Sequence, residues 1–346
     1  MPTLEEIDPN MKNAPLENGL HFTDARSTPA RFYGLVEGEY ARLPENVRAQ
    51  ANEAQRILQT NTSGGRVRFV TDSKRVGVRT RVTDTGGIPN FTYIGYAGID
   101  CYTSAGLDYR FRGVCCPPLG GAKGESSFRL SGKPELVTLY LPLYDGLESF
   151  EIGLEPGASL EAPPPYTHET PIVYYGSSIT QGGCAGRAGN NYCALASRWL
   201  DSDFTCLGFS GNAKGEPWMA KHIAGLPMSC FVFDYDHNAP DPAYLRETHR
   251  PFLEIILSRR PELPVIMLSK PNPDLSGPDF ERREIIRDTY EWAKSQGARA
   301  WFVDGESLFG GKGYECCTVD GDHPNDLGFF RMAETVYPIL REALEG

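Results

Sequence analysis

The hydrophobic period of the chain changes halfway along its length, and this change restricts the available folds more than any other feature. Over residues 66–154, apolar residues such as Val76 and Val78 alternate with charged ones. Short alternating segments broken by glycine-rich turns are typical of the strands of a β-sandwich. The first half therefore predicts an all-β domain, with one short helix before it over residues 45–58.

In the second half, apolar residues form continuous runs instead of alternating. Continuous apolarity is typical of parallel strands that are buried on both faces. The runs cover residues 172–175, 204–209, 230–233, 265–268 and 300–303. Candidate helices lie near residues 191–200, 242–258 and 278–294, and a last one begins at about Pro324, a residue that suits a first helical turn. We expect Pro338 to kink or shorten that helix. Five strands alternating with helices predict a three-layer α/β fold.

A chain of 346 residues exceeds what one ordinary core fills, which favours two domains. The sequence LEAPPPYTHETP at residues 160–171 is typical of a semi-rigid linker. We therefore predict a β-sandwich accessory domain over residues 1–160, a proline-rich linker over 161–170 and a catalytic α/β domain over 171–346.

Charge and cysteine content exclude some classes of function. A net charge of -11 argues against nucleic-acid and anionic-membrane partners. The N-terminus has neither a basic start nor an apolar segment, and no apolar run is long enough to span a bilayer. The nine cysteines are odd in number and include two vicinal pairs, which does not indicate a disulfide framework. We expect a cytoplasmic protein with reduced thiols, and the sequence leaves its oligomeric state open.

Ser178 is the first candidate for chemistry, because it follows the first predicted strand of the α/β half among glycines, in GSSITQGG. Ligands of open parallel sheets bind beyond the carboxyl ends of the strands. The nucleophile elbow of α/β-hydrolases, G-x-S-x-G, would need glycine where Thr180 stands. A single serine in such a place is more often part of an ordinary polar turn, so Ser178 needs partners.

The sequence DGDHP at residues 320–324 offers those partners just before the last helix. Serine needs a base to take its proton, and imidazole titrates in the right range. A carboxylate on the other ring nitrogen orients the imidazole. Asp320 can curl back to His323 within one loop, whereas the adjacent Asp322 is expected to point away. An aspartate-rich turn that caps the helix is the alternative interpretation.

Donors for a negatively charged transition state follow the second and third strands. Acyl transfer builds charge on the carbonyl oxygen, and preorganised donors must meet it. The backbone N–H of Gly211 and the side-chain amide of Asn238 are the candidates. His237 and Lys270 lie at the same sheet edge and are candidate pocket residues.

As a set, these segments resemble the blocks of the SGNH (GDSL-type) hydrolase family. Gly176 to Ile179 is similar to the first block, with Ser177 in place of the usual aspartate, and the Asp320-x-x-His323-Pro324 motif is similar to the last. The resemblance implies a flavodoxin-like catalytic domain with Ser178 as nucleophile, His323 as base and Asp320 orienting it. It also implies an oxyanion hole formed by the Ser178 N–H, Gly211 and Asn238.

A second resemblance lies in the first half. Gly98-Ile99-Asp100-Cys101-Tyr102 is similar to the G-x-D-L-Y signature of a sandwich that precedes some SGNH domains, with Cys101 for leucine. It implies a jelly-roll partner domain, and many two-domain members act on acetylated carbohydrates. We therefore expect a serine esterase that removes a short acyl group, most simply acetyl, from a small-molecule or oligosaccharide ester. An acyltransferase using the same triad is the alternative, no cofactor or metal is expected, and the substrate-binding residues are unknown.

A metal-dependent phosphoesterase is the rival class of enzyme. Carboxylates and imidazoles suit a two-metal site. The candidate ligands are Asp234, Asp236, His237, Asp320, Asp322 and His323. This interpretation gives Ser178 and Asn238 no role.

A non-catalytic carbohydrate-binding protein is the rival without chemistry. Aromatic faces hold sugars, and the first half is rich in such residues: Tyr93, Tyr96, Tyr102, Tyr109 and Phe111. At strand spacing, however, aromatic residues more often belong to a core. A binding protein would also have no need of the triad.

Overall fold

The first half of the chain folds as an antiparallel sandwich in the computed structural model, which describes residues 4–8, 15–272 and 277–346. Its strands are β1 (His21–Asp24), β2 (Arg31–Tyr33), β3 (Arg66–Thr71), β4 (Arg75–Val82), β5 (Ile99–Ala105), β6 (Asp108–Cys115), β7 (Lys123–Arg129), β8 (Glu135–Tyr140) and β9 (Leu147–Leu154). One sheet has the order β1-β9-β4-β7 and the other β2-β3-β8-β5-β6. Without the edge strand β2, these are the two four-stranded sheets of a jelly roll, so the predicted fold is confirmed.

The alternating residues of the first half form the core between the two sheets. Val76 and Val78 on β4 and Phe150 on β9 are at most 1% exposed. They pack against residues of the facing sheet, such as Leu139 on β8, in one hydrophobic cluster. Each such side chain contributes roughly 1.5–3 kcal/mol when it is fully buried. The period of two in the sequence therefore marks the inward faces.

The helices of the first half are short. They are α1 (Leu4–Ile7), α2 (Glu45–Arg48), α3 (Glu53–Leu58) and α4 (Tyr93–Ala97). The prediction of one helix over residues 45–58 is wrong, because Asn52 has extended backbone between α2 and α3. Its side chain accepts a hydrogen bond from the Gln55 N–H and thereby starts a second helix.

The second half is a three-layer α/β fold with a parallel sheet, as predicted. Its strands are β10 (His168–Gly176), β11 (Ser202–Gly208), β12 (Cys230–Asp234), β13 (Val265–Leu268) and β14 (Ala300–Val303). Its helices are α5 (Ser178–Gln181), α6 (Tyr192–Leu200), α7 (Pro217–Gly225), α8 (Pro242–Arg259), α9 (Pro278–Ser295), α10 (Gly305–Leu308) and α11 (Asp326–Glu345). The strand order β11-β10-β12-β13-β14 is that of flavodoxin-like folds.

Hydrophobic clusters cover both faces of this parallel sheet. Helices α6 and α11 pack on one face and α7, α8 and α9 on the other. The sequence analysis missed α7, although Pro217 occupies its first turn, a position that proline favours. In this strand order, ligands bind where β10 and β12 lie side by side, beyond their carboxyl ends.

The last helix differs from its prediction at both prolines. Pro324 lies outside α11, because the Asn325 side chain caps the helix by accepting from the N–H groups of Leu327 and Gly328. The helix continues through Pro338 to Glu345. Pro338 faces solvent, while Val336 and Leu340 beside it are buried and keep the helix against the sheet.

Buried polar contacts join the two halves. The guanidinium of Arg66 on β3 is fully buried, and its Nη1 donates to the Phe204 carbonyl at 3.0 Å. In the 98–102 segment, Asp100 accepts from the Gly189 N–H at 2.9 Å. The predicted linker is packed rather than free: Tyr166 is 5% exposed, and its hydroxyl accepts from Arg66 Nε. These contacts fix the sandwich against the α/β layer.

All nine cysteines lie in the described part of the chain, and none forms a disulfide. Over the described ranges, no helix is both long and apolar enough to cross a membrane. Most of the N-terminal stretch that argued against a secretory signal, residues 1–13, lies outside the described residues. The cytoplasmic location therefore stays a prediction.

Candidate active site

Ser178 begins the short helix α5 directly after β10. The preceding Ser177 caps this helix, because its Oγ accepts from the Ile179 N–H at 3.1 Å. The helix lies directly on the end of β11, where a Cβ on Gly208 would be 2.2 Å from the Gln181 nitrogen. Only glycine allows this approach. The result is a serine at the carboxyl edge of the sheet that is 8% exposed.

A continuous hydrogen-bond chain links Ser178 to the loop before α11. Ser178 Oγ lies 2.9 Å from His323 Nε2, and His323 Nδ1 lies 2.8 Å from Asp320 Oδ2. A carboxylate beside Nδ1 favours the tautomer with the proton on that nitrogen. The Nε2 lone pair then faces the serine hydroxyl and can accept its proton.

Asp320 is held as a carboxylate by four donors. Oδ1 accepts from the N–H groups of Asp322, at 3.0 Å, and of His323, at 2.8 Å. Oδ2 accepts from the imidazole and from the Asn90 amide, which is 2.8 Å away. Burial opposes ionisation, but these hydrogen bonds outweigh it and lower the pKa of Asp320 to about 2. The group beside His323 is therefore charged at neutral pH.

Asp322, the other candidate partner of the imidazole, points away as expected. Its Oδ1 lies 2.8 Å from Lys270 Nζ. The same ammonium lies 3.2 Å from Asp279 on α9. The structure thus places Asp320 on the histidine and gives Asp322 a different partner.

A cavity of about 440 Å³ opens beside the serine and contains both candidate oxyanion donors. Gly211 lies in the loop after β11 with φ +67°, and Asn238 lies in the loop after β12. Asn238 Nδ2 donates to the Phe209 carbonyl at 2.9 Å, which orients the amide. The amide has a second N–H that this bond does not use.

The remaining wall of the cavity is polar and charged. Lys270 and His237, which the sequence offered as pocket candidates, both line it. Burial, with help from the charge of Lys270, lowers the pKa of His237 to about 3, so its ring is neutral at neutral pH. Arg282 was missed by the sequence analysis, because no motif marks it. It is fixed by donating to the carbonyls of Asp236 and Ala239 at 2.6 and 2.8 Å.

Five of the six candidate metal ligands fall into two separate groups, and Asp322 belongs to neither. Donor atoms of Asp234, Asp236 and His237 lie within 4.8 Å of one another, and so do those of Cys184, Asp320 and His323. In the first group, Asp234 Oδ2 accepts from the hydroxyls of Thr180, at 2.9 Å, and Tyr192, at 3.0 Å. Burial raises the pKa of Asp234 to about 8, which favours a neutral carboxyl. In the second group, Asp320 and His323 already hydrogen-bond to each other, and His323 also contacts Ser178.

A serine, a histidine and an aspartate that are joined by hydrogen bonds in this order, over the edge of a five-stranded parallel sheet, are typical of the SGNH class of hydrolases. The sequence model of the GDSL-like Lipase/Acylhydrolase family matches residues 169–341, which is half of the chain. The chain therefore belongs to this family. The GxDLY model, which describes the N-terminus of SGNH-hydrolase-type esterases, matches residues 20–160.

Solved structures with the same two-domain fold are known. A protein from Bacteroides ovatus assigned as a GDSL-like lipase is 28% identical, with a TM-score of 0.84 over 94% of this chain and 98% of its own. A salicylyl-acyltransferase from a tetracycline biosynthetic pathway covers the same shares at 21% identity and a TM-score of 0.77. A family two carbohydrate esterase from Cellvibrio japonicus again covers these shares, at 14% identity and a TM-score of 0.60. The last two show the fold alone.

Among curated proteins, a GDSL lipase of Mycobacterium tuberculosis is 27% identical over 124 residues. The match covers 33% of this chain and 48% of the lipase. The chain thus spans about half the length of the curated relative that it matches.

Proposed function

We propose that this protein is a serine esterase that removes a short acyl group, most simply acetyl, from a hydroxylated substrate, with a carbohydrate as the alcohol. The observation that carries the proposal is the hydrogen-bond chain from Ser178 Oγ through His323 to Asp320. In this scheme Ser178 attacks the ester carbonyl while Nε2 takes its proton. His323 then protonates the departing alcohol, and water activated by the same nitrogen releases the acyl group.

The oxyanion hole is assigned to the N–H groups of Ser178 and Gly211 and the amide of Asn238. Removal of one such donor costs about 100- to 1,000-fold in kcat in serine hydrolases. All three residues line the cavity beside the nucleophile. The Phe209 carbonyl holds Asn238 in place before the substrate arrives, so the donor is preorganised.

The wall of this cavity favours a short acyl group. It includes the charged side chains of Lys270, Asp279, Arg282 and Asp322. A long alkyl chain would strip water from these charges without offering a replacement, and that desolvation is costly. A methyl or another small group avoids this contact.

Solvent access favours hydrolysis over transfer to a second alcohol. The side chains of His323 and Asp320 are 28% and 31% exposed. The imidazole that would activate water is therefore partly open to solvent. An acyltransferase would need to exclude water from this position.

A second cleft, of about 390 Å³, offers a place for the alcohol. Ser210 lines both this cleft and the cavity beside the nucleophile, so the two are neighbours. The walls of the second cleft combine the exposed aliphatic side chains of Ile57 and Ile88 with the polar side chains of Asp84 and Asn212. A sugar ring has apolar faces and hydroxyl edges, which suit this mixture.

The test is turnover of p-nitrophenyl esters of increasing acyl length, followed by acetate release from acetylated sugars and oligosaccharides. Acetate esters are expected to turn over fastest, and Ser178→Ala is expected to abolish turnover. Ser177→Ala is the matched control, because it removes the helix-capping hydroxyl and leaves the nucleophile. Transfer of the acyl group to added alcohols in preference to water would favour the acyltransferase.

Inhibitors separate the esterase from the phosphoesterase. A serine-directed phosphonate is expected to inactivate the enzyme, and a chelator is expected to leave it active. The opposite pair of results would contradict the proposal.

A further inference from the structure

A loop of the sandwich reaches the orienting aspartate of the proposed triad in the other domain. Asn90 lies between β4 and α4, 230 residues before Asp320 in the sequence. Its Nδ2 donates to Asp320 Oδ2 at 2.8 Å. This is the same oxygen that accepts from His323 Nδ1. The sandwich therefore contributes a donor directly to the hydrogen-bond chain of the proposed triad.

The residue that follows Asn90 holds the loop against the nucleophile. The Phe91 ring packs edge-on against Tyr144, with 4.5 Å between the ring centroids. The Tyr144 hydroxyl donates to the Ser178 carbonyl at 3.3 Å. The sandwich thus contacts the first and the last member of the triad.

Contacts on the far side of the loop fix its position relative to the α/β domain. The Thr92 hydroxyl donates to the Gly186 carbonyl at 2.9 Å. Helix α4 then approaches the Ala185 carbonyl so closely that a Cβ on Gly95 would lie 2.1 Å from it. Asn90 is therefore presented from a backbone anchored on its C-terminal side.

We propose that the sandwich is a structural part of the catalytic centre, with Asn90 as a positioning residue for Asp320. The proposal rests on the proposed function. Oδ1 of Asp320 is held by two backbone donors of its own loop, whereas the donors to Oδ2 among the described residues are the imidazole and Asn90. Asn90 fixes the plane of the carboxylate and shares its charge, and His323 is thereby kept aligned with Ser178.

Removal of the Asn90 amide is expected to slow the reaction without unfolding the protein. Asn90 is exposed, so Asn90→Ala is expected to leave the unfolding temperature unchanged. One hydrogen bond at a solvated site corresponds to a loss of about 3- to 10-fold in kcat, with little change in KM. A less stabilised carboxylate is more basic and favours the protonated imidazole, so the acid limb of the kcat/KM profile is expected to move to higher pH.

Three further variants separate positioning from general disturbance of the loop. Asn90→Asp replaces the donor by a second negative charge and is expected to be slower than Asn90→Ala. Asn90→Gln keeps an amide and is expected to restore part of the rate. Thr85→Ala changes another exposed residue of the same loop and is expected to match the wild type.

The rate at which a fluorophosphonate labels Ser178 completes the experiment, because it needs no knowledge of the substrate. If the wild type is not labelled, the proposed function fails. If the wild type is labelled and Asn90→Ala is labelled at the same rate, with the same pH profile, the role of Asn90 is overturned. Slower labelling of Asn90→Ala, with recovery in Asn90→Gln, supports it.

Discussion

The replacement of Asp320 with asparagine is the sharpest test of the proposed proton path. Asparagine has the same shape, but its amide nitrogen can face His323 Nδ1 only if that nitrogen carries no proton. The ring proton then moves to Nε2, which lies 2.9 Å from Ser178 Oγ and can no longer accept the serine proton. The equivalent change in a protease triad lowers kcat about 10,000-fold. At 1.36 kcal/mol per factor of ten, this loss corresponds to about 5 kcal/mol of activation free energy.

Asp322→Asn is the matched control, because it makes the same chemical change two residues away. The Asp322 carboxylate contacts Lys270 at 2.8 Å, and its side chain is 56% exposed. A salt bridge of this kind contributes about 0–1 kcal/mol, since water and salt screen it. We therefore expect a change in kcat of at most about five-fold.

The assay is kcat/KM for p-nitrophenyl acetate at one neutral pH, with the unfolding temperature of each variant measured beside it. Both proteins are expected to be folded. An Asp322→Asn enzyme as impaired as Asp320→Asn would refute the assignment of the orienting carboxylate. An Asp320→Asn enzyme within ten-fold of the wild type would refute it as well.

Three further predictions concern the oxyanion hole, a buried carboxyl and the domain interface. Asn238→Ala is expected to lower kcat for p-nitrophenyl acetate about 100-fold or more with little change in KM, and an unchanged kcat would remove Asn238 from the oxyanion hole. The pKa of Asp234 is raised from 3.8 to about 8 on folding, so its stabilising contribution is complete below about pH 4 and is lost as the pH rises through 8. Asp234→Asn is therefore expected to reduce the fall in unfolding temperature between pH 5 and 9, and identical pH profiles would contradict this. Gly95→Ala is expected to lose about 1–3 kcal/mol of unfolding free energy and part of the activity, because its Cβ would meet the Ala185 carbonyl. Gly87→Ala is the control, because its Cβ would make only an ordinary contact at 3.9 Å. Thermal unfolding of the two variants is the measurement.

The second cleft, which we propose holds the alcohol part of the substrate, has its own test. Ile88→Ser removes an apolar wall that is 41% exposed, so it is expected to raise KM for an acetylated oligosaccharide and to leave p-nitrophenyl acetate unaffected. Leu119→Ser, at a site 81% exposed and away from both cavities, is the control. Equal effects on both substrates would place the alcohol elsewhere.

Most of the fold could be predicted from the sequence, and the errors have local causes. The strands at Val265–Leu268 and Ala300–Val303 match their predicted bounds, because continuous apolar runs coincide with the buried part of a parallel strand. The errors concern helices: α7 was missed, the helix over residues 45–58 is two helices, and the last helix begins later than predicted. The start of α11 moved from Pro324 to Asp326, because the Asn325 side chain satisfies free N–H groups better than a proline turn does.

The sequence by itself determined the two architectures, since hydrophobic period is a local property that each half carries along its whole length. It also determined which groups stand at the strand ends: Ser178, Gly211 and Asn238 follow three strands that a parallel sheet must bring to one edge. Only the tertiary structure decided which residue of the sandwich joins them. Asn90 and Asp320 meet across 230 residues through loops that have no period, and their contact depends on how the sandwich docks on the sheet.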